Sequence, residues 1–115
     1  MRKRLERYIP EALKAVEACG IAKNGQVARP FNGYISSFGA GIRQAGVVPT
    51  VLFFTSQTDR SEEERGKIVD AIETILGQPL IQKGRQNPDV DRDMIEDAAT
   101  ALKLALRTYT LVDKE

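Results

Sequence analysis

The chain has 115 residues, of which 42% are hydrophobic and 29% charged. That balance suits one globular domain over residues 1–115 with a core of its own, and it excludes global disorder. Histidine is absent and Cys19 is the single cysteine. The usual zinc sites, the Ser-His and Cys-His nucleophile pairs and any internal disulfide are therefore excluded.

A general acid or base would have to be a carboxylate, a lysine or a tyrosine. The expectation is a non-enzymatic domain without cofactor or metal, in a reducing cytoplasm. No apolar run approaches the roughly 20 residues that span a bilayer. The longest, residues 47–54, is interrupted by Pro49 and Thr50. The net charge of +1 hides an asymmetry: residues 1–60 carry +5 and residues 61–115 carry −4. Such halves suit a polyanion contact on one side and a protein contact on the other.

A first helix is expected over residues 2–21. Leu5, Tyr8, Ile9, Ala12, Val16 and Cys19 share one side at about 100° per residue. Lys3, Arg4, Arg7 and Lys14 fall opposite, with Glu11 among them. Pro10 lacks a backbone donor, so it predicts a kink or a late start. Gly20 favours an end, and Asn24-Gly25 marks a turn.

A second helix starts at Pro30. Its seam is Phe31, Ile35, Phe38 and Ile42, and its other side is small: Gly33, Ser36, Ser37, Ala40 and Gly41. Small residues allow another backbone to approach closely, but they lower intrinsic helicity. Gly46 then separates a third helix, roughly 47–57. This stretch is β-branched and aromatic, so a buried strand is the rival. Pro49, the neighbouring helical periodicity and the want of a partner strand favour helix.

Ser61-Glu62-Glu63-Glu64 fits a capping box opening a fourth helix, with Ile68, Ile72, Ile75 and Leu76 on its apolar face. Gly77 and Pro79 end it. Residues 78–90, with Lys83 and Arg85, read as a loop. A last helix is expected from Asp91 to Val112. Its acidic start suits the helix dipole, and Ile95, Ala98, Leu102, Ala105, Leu106, Tyr109 and Val112 form its buried stripe.

The predicted fold is all-α, a compact bundle of about five helices with no β-sheet and no internal repeat. Phe31, Ile35, Phe38, Ile42, Leu52, Ile72 and Leu102 are expected to share one core. Cys19, Tyr34, Phe53 and Phe54 are expected in the core too, leaving Tyr109 as the aromatic most open to solvent.

Gly39-Ala40-Gly41 lacks the preceding strand and the following Gly-Lys-Ser/Thr of a phosphate loop, so close helix packing explains it. Asp89, Asp91 and Asp93 lack the glycine and glutamate of a calcium loop, and helix-dipole compensation explains them. The basic residues are what remains for function. Lys3, Arg4, Arg7, Lys14, Arg29, Arg43, Lys103 and Arg107 are the candidate phosphate contacts. No base-reading motif accompanies them, so backbone contact is expected rather than sequence readout.

The segment Phe31-Asn32-Gly33-Tyr34-Ile35-Ser36-Ser37-Phe38-Gly39-Ala40-Gly41-Ile42, the break at Gly46 and the apolar residues 47–54 are distinctive. They resemble the central region of the fifth-numbered Cmr protein, the small subunit of the type III-B CRISPR RNA-silencing complex. The chain is also similar to that family in length, in its basic N-terminal helix and in its Ala/Leu-rich closing helix. The resemblance implies a non-catalytic helical subunit in antiviral defence. Further copies of itself would stack in a filament beside other Cmr subunits and support guide RNA and target RNA. RNA cleavage would belong to other subunits. A helical adaptor that assembles proteins without touching RNA is the alternative. A DNA-binding helical regulator is a second, disfavoured by the lack of a recognition-helix pattern.

Overall fold

A computed structural model describes residues 3–56 and 60–113, without the side chains of residues 60–63. Among these residues the chain forms α1 (Lys3–Ala18), β1 (Ala22–Lys23), β2 (Gln26–Ala28), α2 (Pro30–Gln44), α3 (Val47–Thr55), α4 (Arg60–Leu76), β3 (Ile81–Gln82), β4 (Arg85–Gln86), α5 (Arg92–Leu106) and β5 (Thr110–Val112). The five helices are those the periodicity predicts. The thin axis measures 22 Å, the depth of two helix layers.

Helix α1 runs through Pro10 rather than starting there. It ends where Gly20 turns left-handed at φ 76° and the Ile21 N–H reaches back to the Val16 carbonyl at 3.0 Å. Helix α5 starts on Asp91, whose carboxylate accepts from the Met94 N–H at 2.8 Å. The proposed capping box at Ser61 lies outside the described side chains. Helix α5 packs against α1, α2 and α4 and is the centre of the molecule. Around it gather Phe31, Ile35, Phe38, Ile42, Ile72 and Leu102, all buried in one core as expected.

The expectation of no β-sheet is corrected. β1, β2 and β5 form a three-stranded sheet, and β3 pairs with β4 in a second. The last helix stops at Leu106 rather than at Val112. Thr110, Leu111 and Val112 instead pair in parallel with Gln26, Val27 and Ala28. Local periodicity carries no sign of this strand, because its partner lies more than 80 residues away in sequence. The β-branched Thr110 and Val112 are at home in a pleat.

Residues 78–90 are not a plain loop either. Ile81 pairs with Gln86 and Gln82 with Arg85, closed by Lys83 and Gly84 at φ 53° and 76°. Positive φ at both turn residues makes a two-residue hairpin, as at Asn24 and Gly25 (φ 54° and 74°). The order helix, hairpin, helix therefore occurs twice, as α1–β1β2–α2 and α4–β3β4–α5. The expectation of no internal repeat is thus corrected at the level of topology.

Helix α3 is a helix, not a strand, yet its buried face differs from expectation. Val47, Thr50, Val51 and Phe54 point inward. Leu52 and Phe53 are 59% and 60% exposed, so neither belongs to the core. Nearly every side chain in 47–54 is apolar, so periodicity could not choose the face.

Candidate nucleic-acid interface

The eight candidate cations do not form one patch. At about 100° per residue, Lys3, Arg7 and Lys14 lie within roughly 40° of one another on α1. They are opposite its buried residues Ala12, Ala15 and Val16, and all three are exposed. Lys14 stands 3.8 Å from Glu11, a surface pair worth little. Lys3 and Arg7 form no ion pair among the described residues.

Arg4 departs from that face. Its Nη1 lies 3.4 Å from Oδ2 of Asp97, a buried carboxylate on α5. The pair links α1 to α5. Arg29 lies at the far end of α2, 3.1 Å from Asp113 just past β5. Arg43 reaches Glu96 at 3.8 Å.

The fold does gather Arg4, Arg43 and Lys103. They line a cleft of about 540 Å³ between α2 and α5, with Ser36 and Gly39 on its wall. Asp93, Glu96 and Asp97 line the same cleft, so it is zwitterionic rather than basic. A zwitterionic groove repels a polyanion with one set of groups as it attracts with the other. The charge count by halves missed this because α5 places acids of the second half against cations of the first. Lys103 and Arg107 are a turn apart on α5, and neither has an ion-pair partner among the described residues.

The remaining chemistry is quiet. Among the described residues no group of three or more His, Cys, Asp or Glu could hold a metal ion. Among the described residues no helix is long and apolar enough to cross a membrane. Cys19 packs against the core without being fully buried, a correction of degree to its expected burial. Burial pushes its thiol up, against a lowering by the Thr74 hydroxyl 3.8 Å away. A raised pKa means less thiolate at neutral pH. Alkylation of Cys19 by iodoacetamide should thus be slow at pH 7 and still climbing past pH 9. A rate that levels off below pH 8 would show an activated thiol instead.

Phe53, not Tyr109, is the aromatic most open to solvent. Tyr109 is half-buried, its hydroxyl 3.3 Å from Glu17. The Phe53 ring carries the Arg65 guanidinium at 5.1 Å.

No curated relative and no solved structure matches the chain. A family model described as CRISPR-associated protein (Cas_Cmr5) matches residues 5–112, from the first turn of α1 to the end of β5. That match takes in both helix–hairpin–helix units and the α2–α3 segment singled out above. The chain belongs to the Cas_Cmr5 family and is a CRISPR-associated Cmr subunit.

Proposed function

We propose that this chain is a non-catalytic small subunit of a cytoplasmic type III-B effector complex. Copies align in a filament beside other Cmr subunits, and each contacts guide RNA or target RNA through the phosphate backbone. The observation that carries this reading is the outer stripe of α1. Lys3, Arg7 and Lys14 project on the side away from the core, so a polyanion can reach all three without disturbing the fold. Lys103 and Arg107 add a pair on α5. One copy offers few phosphate contacts, so binding by a single chain is weak, and alignment of copies supplies avidity. The adaptor reading draws its support from exposed Leu52 and Phe53 on α3, which suit a protein contact.

Replacing Lys3, Arg7 and Lys14 by Glu tests the reading. All three side chains are exposed and opposite the buried face of α1, so the chain should fold as before. The assembled complex should then lose target RNA at lower salt, equally for unrelated sequences, with the retained RNA uncut by this subunit. Unchanged retention in a complex that assembles normally would remove α1 from the RNA path. Failure to assemble would favour the adaptor. RNA cleavage by the purified chain, lost on mutating one carboxylate, would end the non-catalytic assignment.

A further inference from the structure

Two cations outside the eight candidates stand in a different setting. Lys83 and Arg85 lie on the β3–β4 hairpin, and every residue from Gln82 to Gln86 is exposed. No acidic residue occurs between Glu73 and Asp89. Neither cation forms an ion pair among the described residues, whereas Arg4, Lys14, Arg29 and Arg43 each meet a carboxylate. The tip is therefore an unneutralised positive point in the more acidic half of the chain.

Its base is held firmly. Asn87 is 1% exposed, between buried Leu80 and Val90. Its Nδ2 donates to the Pro79 carbonyl at 2.8 Å and to Gln78 Oε1 at 3.3 Å. Its Oδ1 accepts from the Asp89 N–H at 3.0 Å, and its own N–H donates to the Leu80 carbonyl at 2.9 Å. The Leu80 N–H in turn donates to Glu73 at 2.8 Å. A buried amide with its polar atoms satisfied fixes the direction of the strands above it. A tip fixed in advance loses little entropy on binding.

The turn residue itself is informative. Lys83 takes φ 53°, where a long side chain is strained and Asn or Gly is favoured. The matching place in the first hairpin holds Asn24 at φ 54°. The first hairpin is also covered on one side, because the Gly25 carbonyl accepts from the Thr110 N–H at 3.3 Å and β5 pairs with β2. Among the described residues no third strand covers β3–β4. The second hairpin thus has no strand beside it among the described residues, although α3 packs against β4, and it carries a charged residue where an easier one would serve the backbone.

We propose that the β3–β4 hairpin is a second contact for the RNA phosphate backbone, gripping it with Lys83 and Arg85. This rests on the reading of the chain as an RNA-contacting subunit. Register places Gln82 opposite Arg85, next to Lys83. The tip so offers an ammonium, a guanidinium fork and an amide with no acid among them. The fork suits two oxygens of one phosphate, and the ammonium suits the next. Residues 82–86 carry no apolar side chain, and a protein interface is centred on apolar or aromatic anchors. RNA is the occupant the chemistry favours.

The test compares Lys83→Asn with Arg85→Gln, made together, against the α1 triple variant in the assembled complex. Asn is the easier residue at this φ, so the double variant should melt no lower than wild type and assemble normally. Target RNA should be released at lower salt. The log–log salt slope should be shallower by about 1.4 to 1.8 per copy, the value for two lost phosphate contacts. An unchanged slope while the α1 triple variant weakens retention overturns the hairpin contact alone. If neither variant weakens retention, the RNA-contact reading falls with it. Exclusion of the double variant from the complex makes the hairpin a protein contact and also overturns the inference.

Discussion

Phe38→Ala should lower stability by about 3–5 kcal/mol, the range for deleting a large aromatic from a packed interior. Phe38 is 0% exposed and meets the Phe54 ring edge-on, with centroids 5.3 Å apart. It sits where α2 faces α3, so truncation opens a cavity that two helices cannot close without shifting. Phe53→Ala is the control. Its ring is 60% exposed, and the Arg65 contact over its face is worth about 1 kcal/mol or less. Paired urea titrations read both. Equal midpoints for the two variants would mean that α3 presents another face to the core.

The second large effect turns on a missing methyl group. A Cβ at Gly41 would stand 2.8 Å from Oγ1 and 2.9 Å from Cγ2 of Thr50. Thr50 is buried and β-branched, so its side chain has little freedom to move aside. Alanine raises helix propensity by about 1 kcal/mol over glycine, and overpacking costs about 1–3 kcal/mol. The buried Thr50 leaves the clash little relief, and Gly41→Ala should destabilise by up to about 2 kcal/mol. Gly33→Ala, on the same helix with open space at its Cβ, should stabilise by about 0.5–1 kcal/mol. Thr50→Ala should relieve the clash, so a double-mutant cycle should show strong coupling between positions 41 and 50. Additive effects there would refute the close approach of α2 and α3.

The charges show how far a linear count misleads. Half of the expected RNA-facing cations, Arg4, Lys14, Arg29 and Arg43, meet carboxylates in the folded chain. Three of those partners are 53 or more residues away in sequence. Windowed charge is blind to such partners. The same blindness left Lys83 and Arg85 out of the candidates, because what distinguishes them is the acids they lack and the exposure of their hairpin. A Lys-Gly pair between two short polar runs was the one available signal for that hairpin, and lysine is not a usual first turn residue.

By itself the sequence determined where helices form and which single stripe most of them bury. The causes are local: the 3.6-residue repeat of Ile35, Phe38 and Ile42, the Asp91 cap, and the glycines at 20, 46 and 77 that end or divide helices. It also determined the family, since the α2–α3 segment carries its resemblance and the match extends over residues 5–112. Tertiary structure alone decided three matters. It chose the inner face of α3, where apolar residues on nearly every side gave periodicity nothing to select. It made a strand of residues 110–112, because their bonding partner at 26–28 is brought near only when α1 and α5 pack together. And it decided which cations stand beside a distant carboxylate, because a charge feels whatever the fold sets within a few ångströms of it, at any distance along the chain.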